Sequence, residues 1–185
     1  GVNDQVKKDL AEKGYAYREC RIVRSDGAIR WISDRSKLAY GDDGLPVRVE
    51  GVVSDVTERK RSEKQLSALA AVVEQSEDLI AVKDLDLRVV AANTAFAKIS
   101  GHASARELIG KTDAEIFGVP PGAEPVRTSM EDDRNAQRLR PGERLTREEA
   151  LVAASGGVRH VLTKKYPVFD AHRKLIGTGH ISTDI

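Results

Sequence analysis

Apolar residues recur along this chain at two periods, and the switches between them mark out its elements. Val2, Val6 and Leu10 are spaced as one face of a helix that closes at Gly14, a residue suited to a C-cap. Strand-like runs follow at 15–24, 28–40 and 46–56, separated by the turn signals Ser25-Asp26-Gly27 and Gly41-Asp42-Asp43-Gly44, and they predict an antiparallel meander. The stretch 57–76 is charged at its start, and Leu66, Leu69 and Val73 then form a stripe spaced by three and four, which predicts an amphipathic helix. Its apolar stripe is short of a sustained heptad run, so two uses stay open: covering the neighbouring sheet, or pairing with a second chain.

The second half repeats the alternation with helices inserted. Runs at 79–83 and 87–92 flank Asp84-Leu85-Asp86 and predict a hairpin. Short helices are expected at 93–100, at 104–108 and after Thr112-Asp113-Ala114-Glu115, a capping-box pattern that ends near Gly118. A longer helix is expected over 126–139, between Pro125 and Pro141-Gly142, and three strands close the chain with turns at Ser155-Gly156-Gly157 and at 170–174. Two strands, several short helices and three strands make an α+β arrangement.

The closing strands copy the first three without a gap. Arg18, Glu19, Val23, Gly27, Arg30 and Asp55 meet Arg147, Glu148, Val152, Gly156, Arg159 and Asp184 at a constant offset of 129 positions. Apolar positions meet apolar ones too: Ile29 and Val158, Tyr40 and Phe169, Val47 and Ile176, Val52 and Ile181. Two copies of one supersecondary unit are therefore expected. The first has too few residues before it to complete a domain of ordinary size, so it reads as the back half of one.

Composition narrows the function classes. The 185 residues carry 30 basic and 29 acidic side chains, interspersed to a net charge of +1, so no basic footprint points to nucleic acid or an anionic membrane. No run approaches a membrane span and the first ten residues lack the apolar core of a signal peptide, so no direct membrane contact is expected. The single Cys20 has no internal partner, which fits a reducing cytoplasm.

The motifs resemble those of the PAS sensory domain. In the complete copy they are the run from Asp84 to Asn93 followed by Phe96, then Leu108-Ile109-Gly110-Lys111-Thr112, Gly156-Gly157-Val158-Arg159, Lys165-Tyr166-Pro167-Val168 and Ser182-Thr183-Asp184-Ile185. In the partial copy they are Asp26-Gly27-Ala28-Ile29-Arg30-Trp31 and Gly51-Val52-Val53-Ser54-Asp55-Val56-Thr57-Glu58-Arg59. The resemblance implies a five-stranded antiparallel sheet with short flanking helices over 77–185, preceded by a partial three-stranded meander over 1–56 and a linker helix over 57–76. It also implies a sensory module of a multidomain signalling protein such as a sensor histidine kinase or diguanylate cyclase, with a homodimer and a covalently linked output domain beyond Ile185 as its partners. A ligand-free module that sets dimer geometry is the rival reading. Members of the family bind haem, flavins, small acids or nothing, so the resemblance names no ligand.

Candidate chemistry is sparse. No nucleophile is paired with a base, so no catalytic residue is expected, and Asp84 and Asp86 fit a turn in which carboxylates bond local amides. His102, His160, His172 and His180 lack metal-ligand spacing. Haem held by an axial histidine is disfavoured because the long helix offers only Met130, and a cysteinyl flavin because the lone cysteine lies in the partial copy. A small-molecule pocket between sheet and short helices draws its candidates from Phe96, Ile99, Ile116, Met130, Val161, His180 and Ile181, with strand parity undecided. His180 replaces the glycine that the family pattern usually has there, at the place Gly51 takes in the first copy, and a ligand contact, an interface role or a surface role is open to it. Asp55 and Thr57, with Asp184 matching Asp55, are candidates for coupling the last strand to the helix that follows.

Overall fold

A computed structural model describes residues 2–185, with side chains from Asp4 onward. The chain divides into two compact units, one up to Leu69 and the other from Ala70 to Ile185.

In the first unit, helix α1 (Val2–Lys13) ends at Gly14, whose positive φ of 76° lets its N–H turn back onto the Leu10 carbonyl. Of the three positions in its apolar stripe, the Val2 side chain lies outside the described residues. Strands β1 (Tyr15–Val23), β2 (Ile29–Tyr40) and β3 (Pro46–Asp55) form an antiparallel sheet in the order β1-β2-β3. This sheet has almost no core. Ala16 is its one fully buried apolar side chain among the described residues, while Tyr15, Tyr17, Val47, Val49, Val52 and Val53 are exposed. Apolar strand positions this bare are what a sheet shows where a covering layer is missing.

Helix α2 (Thr57–Gln75) begins in the first unit and ends in the second. Its start is tied to β1 by Glu19, which accepts from Lys60 Nζ at 2.6 Å and also from Arg59. These hydrogen bonds, Lys60 first, then Tyr17 and Arg59, push the Glu19 carboxyl down to about 2. Its end meets Asn93, whose amide donates to the carbonyls of Val73, Ser76 and Asp78.

The second unit is a five-stranded antiparallel sheet in the order β5-β4-β8-β7-β6, made from β4 (Leu79–Lys83), β5 (Val89–Ala92), β6 (Leu145–Val152), β7 (Val158–Phe169) and β8 (Leu175–Asp184). Between β5 and β6 come α3 (Thr94–Ile99), a 3₁₀ turn (Ala105–Leu108), α4 (Asp113–Phe117) and α5 (Val126–Ala136). Leu79, Ala81, Val89, Phe96, Ala97, Leu108 and Ile116 form the core between sheet and helices. Burying a Val or Leu of this kind stabilises by roughly 1.5–3 kcal/mol. The capping box is complete: the Thr112 hydroxyl accepts the Glu115 N–H, and the Glu115 carboxylate accepts the Thr112 N–H.

Two expectations shift. The strand expected from residue 87 begins at Val89, because Asp84 Oδ1 accepts the N–H groups of Asp86 and Arg88 and holds Leu87 in a left-handed turn conformation, φ 62°. Helix α5 stops at Ala136 instead of residue 139, because the last residues tighten to i to i+3 bonds, Arg138 to Asn135 and Leu139 to Ala136.

The repeat extends to hydrogen-bond register. Ile32 faces Asp55 as Val161 faces Asp184, Trp31 faces Arg21 as His160 faces Ala150, and both meanders carry a β-bulge at the matching place, Ala39/Tyr40 and Val168/Phe169. Matched side-chain pattern and matched turns fix the same pairing in both copies.

Candidate functional site

The alternation of β4, β7 and β8 puts Lys83, Lys165 and His180 on the buried face of the second sheet, where strand parity would lead one to expect apolar residues. Leu79 and Ala81 precede Lys83 at the same parity, Val161 and Thr163 precede Lys165, and Thr178 and Ser182 flank His180. Facing them are Asp113, the first residue of α4, and Asp133, which shares one side of α5 with Val126, Ser129 and Ala136.

These groups form a closed charge network. Lys83 Nζ donates to Asp113 Oδ2 at 2.7 Å and to Asp133 Oδ2 at 2.6 Å. Lys165 Nζ lies 2.9 Å from Asp133 Oδ1 and donates to the Ser129 carbonyl at 2.6 Å and to its hydroxyl at 2.9 Å. The Ser129 hydroxyl donates on to Asp113 Oδ2. Lys83 is 1% exposed and Asp133 is 0% exposed, so the two positive and two negative charges answer one another away from water. Burial disfavours the Lys83 ammonium, yet the charges of Asp113 and Asp133 outweigh it and raise its pKa. Lys165 goes the other way: burial lowers it, and Asp133 only partly offsets this. For Asp113 burial is outweighed by Lys83, and the carboxyl is held below its ordinary range.

His180 borders this network. Its Nε2 lies 2.6 Å from Ser182 Oγ, which lies 2.6 Å from Thr163 Oγ1, and the Thr163 hydroxyl donates to Glu149. The Phe96 ring stands edge-on to the imidazole at 5.5 Å. Burial first, then the charges of Lys83 and Lys165, push His180 down to about 3, so it is neutral at pH 7. Between about pH 6.5 and 3 the unfolded chain holds a proton that the folded one refuses. Stability therefore falls with acid, by about 1.4 kcal/mol per pH unit from this group. From pH 6.5 to 5 the parent protein is expected to lose about 2 kcal/mol more than His180→Leu in urea unfolding, and equal losses in the two proteins would refute this.

Beside the network lies a cavity of about 270 Å³, at the small end for ligand pockets. Phe96 and Ile99 of α3, Asp113 and Phe117 of α4, Val126 and Ser129 of α5, Glu149 and Leu151 of β6, and His180 of β8 line it. Of the residues expected from sequence to line a pocket, Phe96, Ile99 and His180 do. Ile116 is spent in the core, and Val161, although on the helix-facing side of β7, does not reach the cavity. Met130 is half-buried on α5 away from the lining, and Ile181 has the parity opposite to His180. His180 itself is buried, which removes a surface role for it. A wider trough of about 690 Å³ crosses the open first sheet past Tyr15, Tyr17 and Val52. In the second unit Asp113 Oδ1 and His180 Nδ1, both of residues that line the cavity, are buried without a hydrogen-bond partner.

At the other end of the first sheet, Asp55 Oδ1 accepts the Thr57 N–H at 2.9 Å, and Thr57 Oγ1 accepts the Trp31 N–H of β2 at 2.9 Å. The bonds from Thr57, with Arg30 nearby, lower the Asp55 pKa. Thr57 is buried, so Thr57→Val strands the Trp31 N–H and is expected to cost about 1–3 kcal/mol. Asp55→Ala, which removes an exposed acceptor of the Thr57 N–H, is expected to cost less in the same melts. If the aspartate change cost more than the threonine change, this account of the junction would fail. In the second unit Asp184 binds Arg159 at 2.6 Å on the surface. Leu66, Leu69 and Val73 all lie exposed on α2, with Val72 beside them. Asp84 bonds local amides, as its turn position implies, and His160 is exposed.

Residues 73–185 match a family model of the PAS fold, and residues 1–53 match a second one separately; the chain belongs to the PAS-fold family. No curated protein matches it significantly. Among solved structures, a Vibrio cholerae VqmA dimer is 25% identical with a TM-score of 0.55, over 66% of this chain and 50% of that one. VqmA bound to DPO gives the same identity and score over 57% of its chain, and the PAS domain of an HTR-like protein from Haloarcula marismortui is 25% identical with a TM-score of 0.50 over 69% and 98% of the two chains. The chain thus spans about half the length of VqmA. No helix among the described residues is long and apolar enough to cross a membrane.

Proposed function

We propose that this chain is the sensory part of a multidomain signalling protein, and that its second unit takes a small molecule into the cavity between sheet and helices. The observation that carries this reading is the cavity itself: a space of about 270 Å³ between sheet and helices, lined by Asp113, Ser129, Glu149 and His180 together with Phe96, Ile99 and Leu151. VqmA, solved with DPO bound, supports it by likeness. Occupancy would shift the population of helix arrangements, with Asp55 and Thr57 as the coupling clamp in the first copy and Asp184 at the matching place in the second. If Asp55→Asn lowered stability but left the ligand response of the full-length protein intact, the coupling role would be lost. The covalently linked output would be a histidine kinase or a diguanylate cyclase, or a DNA-binding regulator as the VqmA likeness suggests. This stretch itself would be non-catalytic, cytoplasmic and without nucleic-acid contact. The exposed apolar stripe on α2 supports homodimerisation as the partner mode and favours the rival reading of a ligand-free module that sets dimer geometry.

Native mass spectrometry of protein purified without added ligand separates the two. An extra mass that is lost on unfolding is the result expected of a sensor. A dimer without extra mass, which also fails to take up any small probe in its cavity, would leave the structural module standing instead.

A further inference from the structure

The cavity of the second unit limits the size of what it can hold. Its volume is about 270 Å³. A dry apolar cavity of about 150 Å³ takes up one benzene, so at the same packing this space takes about eleven non-hydrogen atoms, the size of a substituted two-ring molecule. Its apolar wall comes from three helices and a strand: Phe96 and Ile99 of α3, Phe117 of α4, Val126 of α5 and Leu151 of β6. Phe117 lines the cavity with 41% of its surface still accessible, so a ligand has an apolar ring left to cover.

Charge narrows the class further, because every ionisable residue of the lining already has a partner within the protein. Asp113 is bonded to Lys83, Glu124 to Arg127 and Thr128, Glu149 to the buried Thr163 hydroxyl, and His180 to Ser182. Among the described residues no lysine or arginine lines the cavity, so an anion would enter against carboxylates with no cation to meet it. A cation gains no more: Asp113 is committed to an ammonium group, and the charges felt at His180 are foremost those of Lys83 and Lys165. Either sign would lose hydration that the wall does not replace. An uncharged molecule gives up the least.

We infer that the cavity takes an uncharged, compact ring compound of about eleven non-hydrogen atoms or fewer, held mainly by apolar contact with Phe96, Phe117, Val126 and Leu151. This rests on the cavity being a ligand site, as proposed above. Haem and flavin mononucleotide are several times larger than the space and carry anionic groups, so both are set aside for this chain.

Three indoles of nearly one size test the charge, and riboflavin, uncharged but far larger, tests the volume. Indole-3-methanol is neutral, indole-3-methylamine is a cation at pH 7, and indole-3-carboxylate is an anion. Each compound is titrated into the whole chain while the amide resonances of Phe96, Val126 and Leu151 are followed by NMR. Indole-3-methanol is expected to bind on the order of tenfold more tightly than either charged indole, and riboflavin to leave these resonances in place. Phe117→Ala, at an accessible position, is expected to lower the indole-3-methanol affinity severalfold; an unchanged affinity would put binding elsewhere and overturn the proposal. Should that variant fail to fold, the comparison of the four compounds carries the test. A charged indole that binds as tightly as the alcohol overturns the neutral class, and riboflavin doing so overturns the size limit, each with a ligand cavity still in place. If none of the four moves the cavity resonances, the ligand site falls together with the proposal.

Discussion

Asp133→Ala is expected to cost the second unit about 3–5 kcal/mol, close to the whole margin of many domains of its size. Asp133 answers two ammonium groups at once, Lys83 at 2.6 Å and Lys165 at 2.9 Å, and all three are buried. Removing it leaves two positive charges facing Asp113 alone, in a setting where an unpaired ion costs several kcal/mol. Lys165, already lowered by burial, is the group expected to release its proton and limit the damage. The control is Glu131→Ala on the same helix, whose exposed pair with Arg127 is screened by water and contributes little. Replacing all four charges together with Met and Leu is expected to recover most of the loss, because the network repays desolvation without adding much beyond it. Urea unfolding of the three variants decides the matter. A single mutant no weaker than the Glu131 control would show that the cluster is hydrated.

Gly177→Ala is the second large effect, at about 3 kcal/mol or more. A Cβ at this position of β8 falls on the Lys83 carbonyl oxygen and within 3.1 Å of the Asp84 Cα, both backbone of β4 and its turn. Backbone cannot swing aside as a side chain can, so β4 must part from β8, and Lys83 moves with it. Gly179 makes the instructive contrast. Its Cβ would meet the outer end of the half-buried Tyr166 side chain instead of backbone, so Gly179→Ala is expected to cost about 1–2 kcal/mol. Thermal melts should place Gly177→Ala more than about 10 °C below the parent, with Gly179→Ala between them. The reverse order would mean that the two strands are not held as close as their hydrogen bonds imply.

The α+β order, the hairpin, the short helices and both meanders were legible because each rests on local chemistry. Alternation marks strands, Asp-Gly and Gly-Gly pairs mark turns, and Thr112 with Glu115 marks a helix start. The repeat was legible to the level of register, since a constant offset in side-chain pattern leaves one pairing that keeps apolar residues on matching faces. Phe96, Ile99 and His180 came together at the cavity because a PAS-like layer order puts α3 across from β8. Ile116 and Val161 were named by element alone, and apolar residues on the right elements divide between core and lining according to depth, which no spacing encodes.

The charge network was missed although a clue existed. Lys83 ends a strand in which Leu79 and Ala81 share its parity, and Lys165 follows Val161 and Thr163 in the same way. A lysine on the apolar parity of a strand is a reason to look for a buried partner.

By itself, then, the sequence determined the elements, the repeat, the register and the family, all of which depend on residues near one another or on a pattern repeated at a fixed distance. Only the tertiary structure decided the site. Lys83, Asp113, Asp133 and Lys165 stand on four different elements, and His180 owes its neutrality to burial and to the lysines on β4 and β7. Burial and charge act through space and fall off with distance in three dimensions, so they take their values only once the chain has closed on itself.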